Sequence, residues 1–216
     1  MPALLLGSLS AVADTSELQR AAFNRAFEVH DLGWSWDRDT YRTMLASSGG
    51  RDRLAEYARS RGETVDAQAV HETKSALFRQ SLGSADLSPR PGVVDTITVA
   101  KDRGWKVGLV TTTSGANVTA LLESLAPELR AEDFDVVVDA RSVDAPKPAP
   151  DAYTFAAGAL AVSPADCVAV EDNVGGVSAA RAAGVPCVAF PNANTAAHDF
   201  DGVRVVDHLD LDDLTS

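Results

Sequence analysis

Two adjacent carboxylates, Glu171 and Asp172, follow the apolar run at residues 167–170, and Asn173 comes directly after them. Carboxylates at the end of a buried strand are hard oxygen ligands that suit Mg²⁺, which takes one or two of them and completes its shell with water and phosphate oxygens. The same acids could instead cap the helix that follows. We interpret Glu171 and Asp172 as candidate metal ligands and Asn173 as a candidate substrate contact.

Hydroxyl side chains and a lysine follow two other segments of the chain. The apolar run 107–110 is followed by four hydroxyls that could donate hydrogen bonds to a phosphate group, namely Thr111, Thr112, Thr113 and Ser114. Lys147 lies between two prolines, which fix the backbone, so its amine could neutralise charge on a transferring phosphoryl group. An ordinary polar loop and a solvated surface lysine are the alternatives. Together these residues predict a site that binds phosphate.

The elements that position these residues are predicted from the alternation of apolar runs and amphipathic stretches after residue 91. We expect strands at 107–111, 136–138, 167–170, 187–190 and 203–206, and helices at 94–102, 116–124, 151–161 and 175–183. Continuous β-branched runs are typical of parallel strands buried on both faces. The sequence therefore predicts a doubly wound α/β core, whose ligands bind at the carboxyl ends of the strands.

Residues 15–83 differ from the rest of the chain because they show only helical periodicity. Four helices are predicted there, at 15–29, 37–45, 51–61 and 67–82. The first strand, at the start of the chain, is thus followed by a helical insertion before the sheet resumes. We predict a core formed by residues 1–14 and 85–216, and a four-helix cap formed by residues 15–84.

The overall composition excludes several classes of function. A formal charge of -12 over 216 residues disfavours a nucleic-acid or anionic-membrane surface, and no run approaches the length of a membrane span. The two cysteines, Cys167 and Cys187, lie in apolar runs without a partner at metal spacing, which favours a reducing compartment. We expect a monomeric cytoplasmic protein that binds neither nucleic acid nor membranes.

In combination, the order of these motifs resembles the haloacid dehalogenase (HAD) superfamily, in particular its β-phosphoglucomutase-like, CbbY-like branch. The resemblance is carried by FNRAF at 23–27, GWSWD at 33–37, PGV at 91–93, VTTTS at 110–114, KPAPD at 147–151, VEDN at 170–173 and GVP at 184–186. It implies a Rossmannoid α/β core with an inserted C1-type helical cap, and a small phosphorylated sugar as ligand.

The resemblance also implies a role for each of the candidate residues. Thr111 is the hydroxyl that binds the phosphoryl group, Lys147 is the motif lysine, and Glu171 with Asp172 holds Mg²⁺. Arg51, after the glycines at 49 and 50, is implied to contact the substrate from the cap. Phosphatases and phosphomutases of this type use an aspartate nucleophile and a second aspartate as the acid and base.

This sequence departs from the family at its first motif, where the family has Asp-x-Asp-Gly-Thr-Leu and then an acid followed by Thr. Alignment without a gap on Asp14 and Thr15 puts Gly7 at the nucleophile position and Leu9 at the acid/base position. A one-residue deletion would instead put Ser8 and Ser10 there. Both alternatives remove both carboxylates, and in the sequence neither serine has an adjacent base to activate it.

Three functions remain open from the sequence. A protein with the family fold but little or no phosphatase activity is favoured, because Gly7 and Leu9 cannot supply a nucleophile or an acid. A non-catalytic phosphosugar-binding or regulatory protein is the first alternative, and an active phosphatase with a rearranged first loop is the second. Binding of Mg²⁺ is expected to be weakened or absent, because the nucleophile's carboxylate is also a metal ligand in the family.

Overall fold

Five parallel strands form a single sheet in the computed structural model, which describes residues 1–45 and 49–215. The strands are β1 (Ala3–Leu6), β2 (Lys106–Val110), β3 (Val136–Val138), β4 (Cys167–Glu171) and β5 (Cys187–Ala189), in the order β3-β2-β1-β4-β5. The central strand β1 pairs with β2 and β4, and Ala3 lies opposite both Lys106 and Cys167. Because all strands run in parallel, their carboxyl ends share one edge of the sheet.

Ten α-helices surround or extend this sheet in the described chain. They are α1 (Leu9–Val12), α2 (Ser16–Val29), α3 (Arg38–Met44), α4 (Gly50–Ser60), α5 (Ala67–Leu82), α6 (Val93–Asp102), α7 (Gly115–Leu125), α8 (Asp151–Leu160), α9 (Val174–Ala182) and α10 (Leu211–Leu214). The eight predicted helices are present, with bounds that differ by at most one residue at each end. The four-residue helices α1 and α10 were not predicted, since neither is long enough to show a period.

Both faces of the sheet are covered, as the continuous apolar strands require. Leu4 and Leu6 of β1 face a cluster that includes side chains of α6 and α7, such as Ile97 and Leu121. Leu5, on the opposite face, joins a second cluster with side chains of α8 and α9. Burial of each leucine side chain contributes about 1.5 to 3 kcal/mol. This packing holds the end of β1, and the loop that follows it, in a fixed position.

The cap helices, defined here as α2 to α5, have an aromatic core of their own. Phe23 and Phe27 of α2 contact Trp36 with ring centroids 4.8 Å apart in both pairs. Asp37 begins α3 by accepting a hydrogen bond from the Thr40 amide at 2.7 Å, and Asp66 begins α5 in the same way. The large buried area of the aromatic rings fixes the relative positions of the four helices. The division of the chain at residues 14 and 84 stays a prediction.

One predicted strand was wrong. The run 203–206 forms only an isolated bridge between Val205 and Ala189, and no strand. Asp201 and Gly202 both have positive φ just before this run, so the chain turns sharply there. Val205 is 56% exposed, so the run is not buried on both faces as its β-branched residues suggested.

No helix in the described parts of the chain has the length and apolarity needed to cross a membrane.

Candidate functional site

A cavity of 720 Å³ lies between the cap helices and the carboxyl edge of the sheet. On the core side its lining includes Gly7 to Ser10, Thr111 to Ser114, Lys147, Asp172 and Asn173, and on the cap side Arg51, Arg53, His71, Lys74 and Arg79. Every residue proposed from the sequence lines this cavity except Glu171, which is fully buried and contacts the cavity-lining Lys147. Strand ends far apart in sequence are therefore brought together with one wall of the cap.

Lys147 has all its donors engaged with the core. Its ammonium donates to the carbonyl oxygen of Gly7, to that of Val110 at 2.7 Å, and to Glu171 Oε1 at 2.6 Å. An ammonium group has three N–H donors, so these contacts use all of them. The side chain is 7% exposed and lies 4.6 Å from the ring centroid of Tyr153. In this arrangement Lys147 stabilises the ends of β1 and β2.

Glu171 is a fully buried carboxyl group at the end of β4. Its Oε1 accepts hydrogen bonds from Lys147 and from the Tyr153 hydroxyl, the latter at 2.6 Å. Its Oε2 is buried and has no hydrogen-bond partner among the described residues. Burial raises the pKa of Glu171, and the charge of Lys147 opposes that rise. Burial and the neighbouring Glu171 raise the pKa of the Tyr153 hydroxyl well above its ordinary value.

The space next to Gly7 is occupied by Glu171 and Tyr153. A Cβ atom built on Gly7 would overlap the Glu171 carboxyl group and the Tyr153 hydroxyl, and a Cβ on Gly176 would overlap the same carboxyl group. The absence of a side chain at these two glycines is therefore what allows Glu171 to lie where it does. Sequence reasoning missed this packing, because three segments far apart in the chain create it.

Asp172 is held by three polar side chains. Its Oδ1 accepts from Ser8 Oγ at 2.7 Å and from the Asn173 amide at 2.8 Å, and its Oδ2 accepts from the Asn192 amide at 2.7 Å. Ser8 Oγ also accepts from the Ala11 amide at 2.9 Å, which caps α1. The expectation that Ser8 has no adjacent base was wrong. Its partner Asp172 is adjacent in space but lies 164 residues later in the chain, so the sequence around Ser8 does not reveal it.

Ser10, the other serine of the first loop, is buried and pairs with Thr15 Oγ1 at 2.9 Å. Leu9 is also buried and belongs to the larger hydrophobic cluster, so its side chain packs in the core. The two positions after Ser8 therefore hold the loop in place.

The cap wall of the cavity is basic. Arg51 is exposed and pairs with Asp52 at 3.3 Å, whereas Arg53 is buried and donates to the Met44 carbonyl oxygen at 3.0 Å. Lys74 is buried and donates to Gln19 Oε1 at 3.0 Å. Sequence reasoning identified Arg51 alone.

The electrostatics of this wall follow from burial and from like charges. Burial, and then the charges of Lys74, Arg51 and Arg53, lower the pKa of His71 to about 4. Burial and the charge of Arg53 lower the pKa of Lys74 to about 7. The sequence contained a signal for this part of the wall: His71 and Lys74 are three residues apart in a predicted helix, so both were expected on one face of it.

Comparison with known proteins agrees with this architecture. Residues 5–184 match the haloacid dehalogenase-like hydrolase family. The chain belongs to that family. Protein CbbY of Cereibacter sphaeroides is 35% identical over 209 residues, which cover 95% of this chain and 91% of the relative. The β-phosphoglucomutase of Bacillus subtilis is 26% identical over 190 residues, which cover 86% and 81% of the two chains.

A solved structure shares the fold of this haloacid dehalogenase-like chain closely. It is a mutant of CbbY from Rhodobacter sphaeroides in complex with xylulose-(1,5)-bisphosphate. The TM-score is 0.87 at 34% sequence identity, and the match covers 96% of this chain and 95% of the other. The predicted branch of the superfamily and the predicted Rossmannoid fold are thus confirmed.

Members of the haloacid dehalogenase-like family generally use Mg²⁺. In this chain the two acids implied as ligands have other partners: Glu171 binds an ammonium group, and both oxygens of Asp172 accept hydrogen bonds. No group of three or more His, Cys, Asp or Glu side chains in the described residues is arranged to hold a metal ion. Glu171 Oε2 has no hydrogen-bond partner among the described residues, but it is fully buried beside Gly176. The residues present therefore do not fit Mg²⁺ in this arrangement, because a hard cation takes accessible carboxylate oxygens together with water.

Proposed function

We propose that this chain binds a small phosphorylated sugar between the cap helices and the sheet, and that it has little or no phosphatase activity by the aspartyl-phosphate route. The observation that carries the proposal is the two-sided cavity. Basic side chains of α4 and α5 line one wall, and the other wall includes the first loop, residues 7–10, which has no carboxylate under either alignment with the family's first motif. The cavity volume of 720 Å³ suits a sugar phosphate.

The lack of turnover follows from the first loop. Gly7 has no nucleophile, and the space a side chain would need is filled by Glu171. Leu9 has no proton to give to a leaving group. Removal of a covalent nucleophile typically lowers the rate by roughly 10⁴- to 10⁶-fold, as judged from catalytic-triad variants. Turnover by this route should therefore be close to background.

Binding of the ligand should not require Mg²⁺. Asp172 accepts three hydrogen bonds, which stabilise its charge without a metal ion, and Lys147 supplies the positive charge beside Glu171. A metal ion would have to displace Ser8 or Asn192 from Asp172. We infer weak or absent Mg²⁺ binding at this site.

The basic wall suggests how a phosphorylated ligand is oriented. Phosphate oxygens accept strong, charge-assisted hydrogen bonds from guanidinium groups, which this wall supplies through Arg51 and Arg53. The hydroxyls of residues 111–114 on the opposite wall suit sugar hydroxyls or a second phosphate. The related CbbY in complex with xylulose-(1,5)-bisphosphate supports a ligand of this class.

The test combines binding and turnover on the same protein. Isothermal titration calorimetry should show binding of xylulose-(1,5)-bisphosphate, weaker binding of a monophosphate, and no binding of the unphosphorylated sugar. The affinity should be the same in EDTA and in millimolar Mg²⁺. Phosphate release should stay at background in both. Release at ordinary enzymatic rates, or an affinity that rises tenfold with Mg²⁺, would contradict the proposal.

A second candidate is a phosphatase that uses Ser8. The hydrogen bond from Ser8 Oγ to Asp172 supports it, because a carboxylate can accept the proton of an attacking hydroxyl in phosphoryl transfer. In that case turnover should be measurable, should be lost in Ser8→Ala and should survive in Ser10→Ala. The engaged donors of Lys147 and the buried Leu9 make the first candidate the stronger one.

A further inference from the structure

We propose that Lys74 forms a covalent imine with the carbonyl group of a phosphorylated aldehyde or ketone bound in the cavity. The inference rests on the proposed function in one respect, since the phosphate is what brings the carbonyl group to the cavity. It goes beyond binding because it assigns a reaction and a nucleophile to the cap. The site lies on α5 and is separate from the first loop and the strand ends.

The position of the Lys74 amine supports this role. The residue is 4% exposed and lines the cavity, and its Nζ donates to Gln19 Oε1 at 3.0 Å. The Nζ lies 4.7 Å from the Phe23 ring centroid and 5.1 Å from that of Phe78. No carboxylate among the described residues forms an ion pair with it. Lys74 is thus a buried amine that has an amide and two aromatic rings as neighbours in place of a counter-ion.

Imine formation needs a neutral amine. Burial and the neighbouring Arg53 favour the neutral form of Lys74 and outweigh the Gln19 oxygen and the two aromatic rings, which stabilise the ammonium form. A lysine that is desolvated in an apolar pocket, or that lies next to another cation, is activated as a nucleophile because it gives up its proton more easily. Lys74 meets both conditions, since Arg53 is the neighbouring cation. Its pKa is lowered to about 7, so far more of this amine is neutral at neutral pH than of an ordinary lysine.

The other three lysines of the chain lack this surrounding. Lys147 donates to two carbonyl oxygens and to Glu171, so its lone pair is not available while it is charged. Lys101 and Lys106 lie on the surface and pair with Asp133 at 3.7 Å and Asp135 at 2.9 Å. Only one lysine therefore combines burial, an open cavity and the absence of a carboxylate partner among the described residues.

The reaction balances without an oxidant, a reductant or a metal ion. The nitrogen of the neutral Lys74 amine attacks the carbonyl carbon, and one of its two protons moves to the carbonyl oxygen to give a carbinolamine. The C–O bond of that intermediate then breaks as a C=N bond forms, and the oxygen leaves as water with the second proton of the amine. The ligand class is a small open-chain aldehyde or ketone with a phosphate that Arg51 and Arg53 can bind on the same wall.

The experiment traps the imine and locates it. The intact chain is incubated with dihydroxyacetone phosphate, reduced with sodium borohydride and mapped by peptide mass spectrometry. One adduct per chain is expected, on Lys74, at least tenfold above any other lysine. It should be absent in Lys74→Arg, which keeps the positive charge, and present in Lys101→Arg as the matched control. The map of the wild type locates the adduct even if a variant at position 74 folds poorly.

A parallel titration separates this inference from the proposed function. Glycerol 3-phosphate has a similar size and a phosphate but no carbonyl group, so it should bind and should compete with adduct formation. Binding of glycerol 3-phosphate without any adduct on Lys74 would overturn the imine while the phosphate site stands. Equal labelling of Lys74, Lys101 and Lys106 would also overturn it. Failure of both phosphates to bind would overturn the proposed function as well.

Discussion

The two walls of the cavity stabilise buried charge in opposite ways. On the core wall, Lys147 has a carboxylate partner and two carbonyl acceptors, and Asp172 has three donors. On the cap wall, Lys74 has an amide oxygen and two aromatic rings. The core wall is thus a network of paired opposite charges that supports the fold, whereas Lys74 on the cap wall has no carboxylate partner among the described residues.

This difference bears on the proposed function, in which the cavity binds a ligand without phosphatase turnover. When the first loop lacks its two carboxylates, the remaining acids and the lysine must be satisfied by each other, because an unpaired buried charge is costly. Beside Gly7, Lys147 and Tyr153 supply these partners to one oxygen of Glu171. The cap is a separate set of helices, so its basic residues do not depend on this rearrangement.

The largest expected effect is on the core wall. Lys147→Ala leaves Glu171 buried without its ammonium partner, so the free energy of unfolding should fall by about 3 to 5 kcal/mol. Chemical denaturation measures this, with Lys106→Ala as the control. Lys106 pairs with Asp135 at the surface, where such a pair contributes at most about 1 kcal/mol.

The pH dependence of the Lys147→Ala deficit sharpens the comparison. Without Lys147, the pKa of Glu171 should rise further above its unfolded value. A carboxyl group with a raised folded pKa stabilises the fold below its unfolded pKa, and that stabilisation is lost as pH rises through the folded pKa. The deficit should therefore be smaller at pH 5 than at pH 8. An equal deficit at both values would show that Glu171 is not the group left unpaired.

The second prediction concerns the space beside Gly7. Gly7→Ala should lower the free energy of unfolding by about 1 to 3 kcal/mol, because the added methyl group displaces Glu171 and Tyr153. Gly158→Ala on α8 is the matched control: its added Cβ meets nothing within 4 Å, so the chain should be unchanged or more stable by up to about 1 kcal/mol. If the two variants unfold alike in denaturant, the described packing around Gly7 is wrong.

The sequence predicted much of this architecture but not this packing. The apolar runs predicted all five strands of the sheet, because burial on both faces leaves a clear pattern, and helical periodicity predicted eight helices in the right order. The run at 203–206 is also rich in valine but forms no strand, since it follows the turn at Asp201 and Gly202 and its Val205 is exposed. Motif residues such as Thr111 and Lys147 could be identified from the sequence. The packing of Glu171 and Tyr153 against Gly7 could not, because these residues are far apart in the chain and share no local sequence pattern.

The third prediction tests the cap wall through pH. The folded pKa of Lys74, about 7, is lower than its unfolded value of 10.5, so the folded state releases a proton that the unfolded state keeps between these values. Stability should then rise with pH, by about 1.4 kcal/mol per pH unit. Relative to Lys74→Met, the wild type should gain about 2 kcal/mol between pH 7 and pH 9.

Denaturation of both proteins at each pH measures the difference and cancels groups that titrate alike in the two chains. Among the charged groups nearest Lys74, Arg53 stays protonated over this range. His71 has a pKa of about 4 and does not titrate over it. A pH-independent difference between wild type and Lys74→Met would mean that Lys74 stays fully charged, as a paired lysine would.

The smallest expected effect is on ligand affinity, and it tests whether the cap wall attracts phosphate by position or only by net charge. Arg51→Ala should weaken binding of a sugar phosphate about fivefold at low salt, since an exposed charge contributes roughly 1 kcal/mol. Arg59→Ala is the matched control, because Arg59 is an exposed arginine of the same helix and does not line the cavity. Both substitutions make the chain more negative by one charge, so a long-range effect would weaken binding equally in the two variants.

The effect of Arg51→Ala should shrink as salt rises, because the Debye length falls from about 30 Å at 0.01 M to about 8 Å at 0.15 M. Equal affinities for the two variants in calorimetry would show that Arg51 does not contact the ligand, and would leave phosphate recognition on this wall to the buried Arg53.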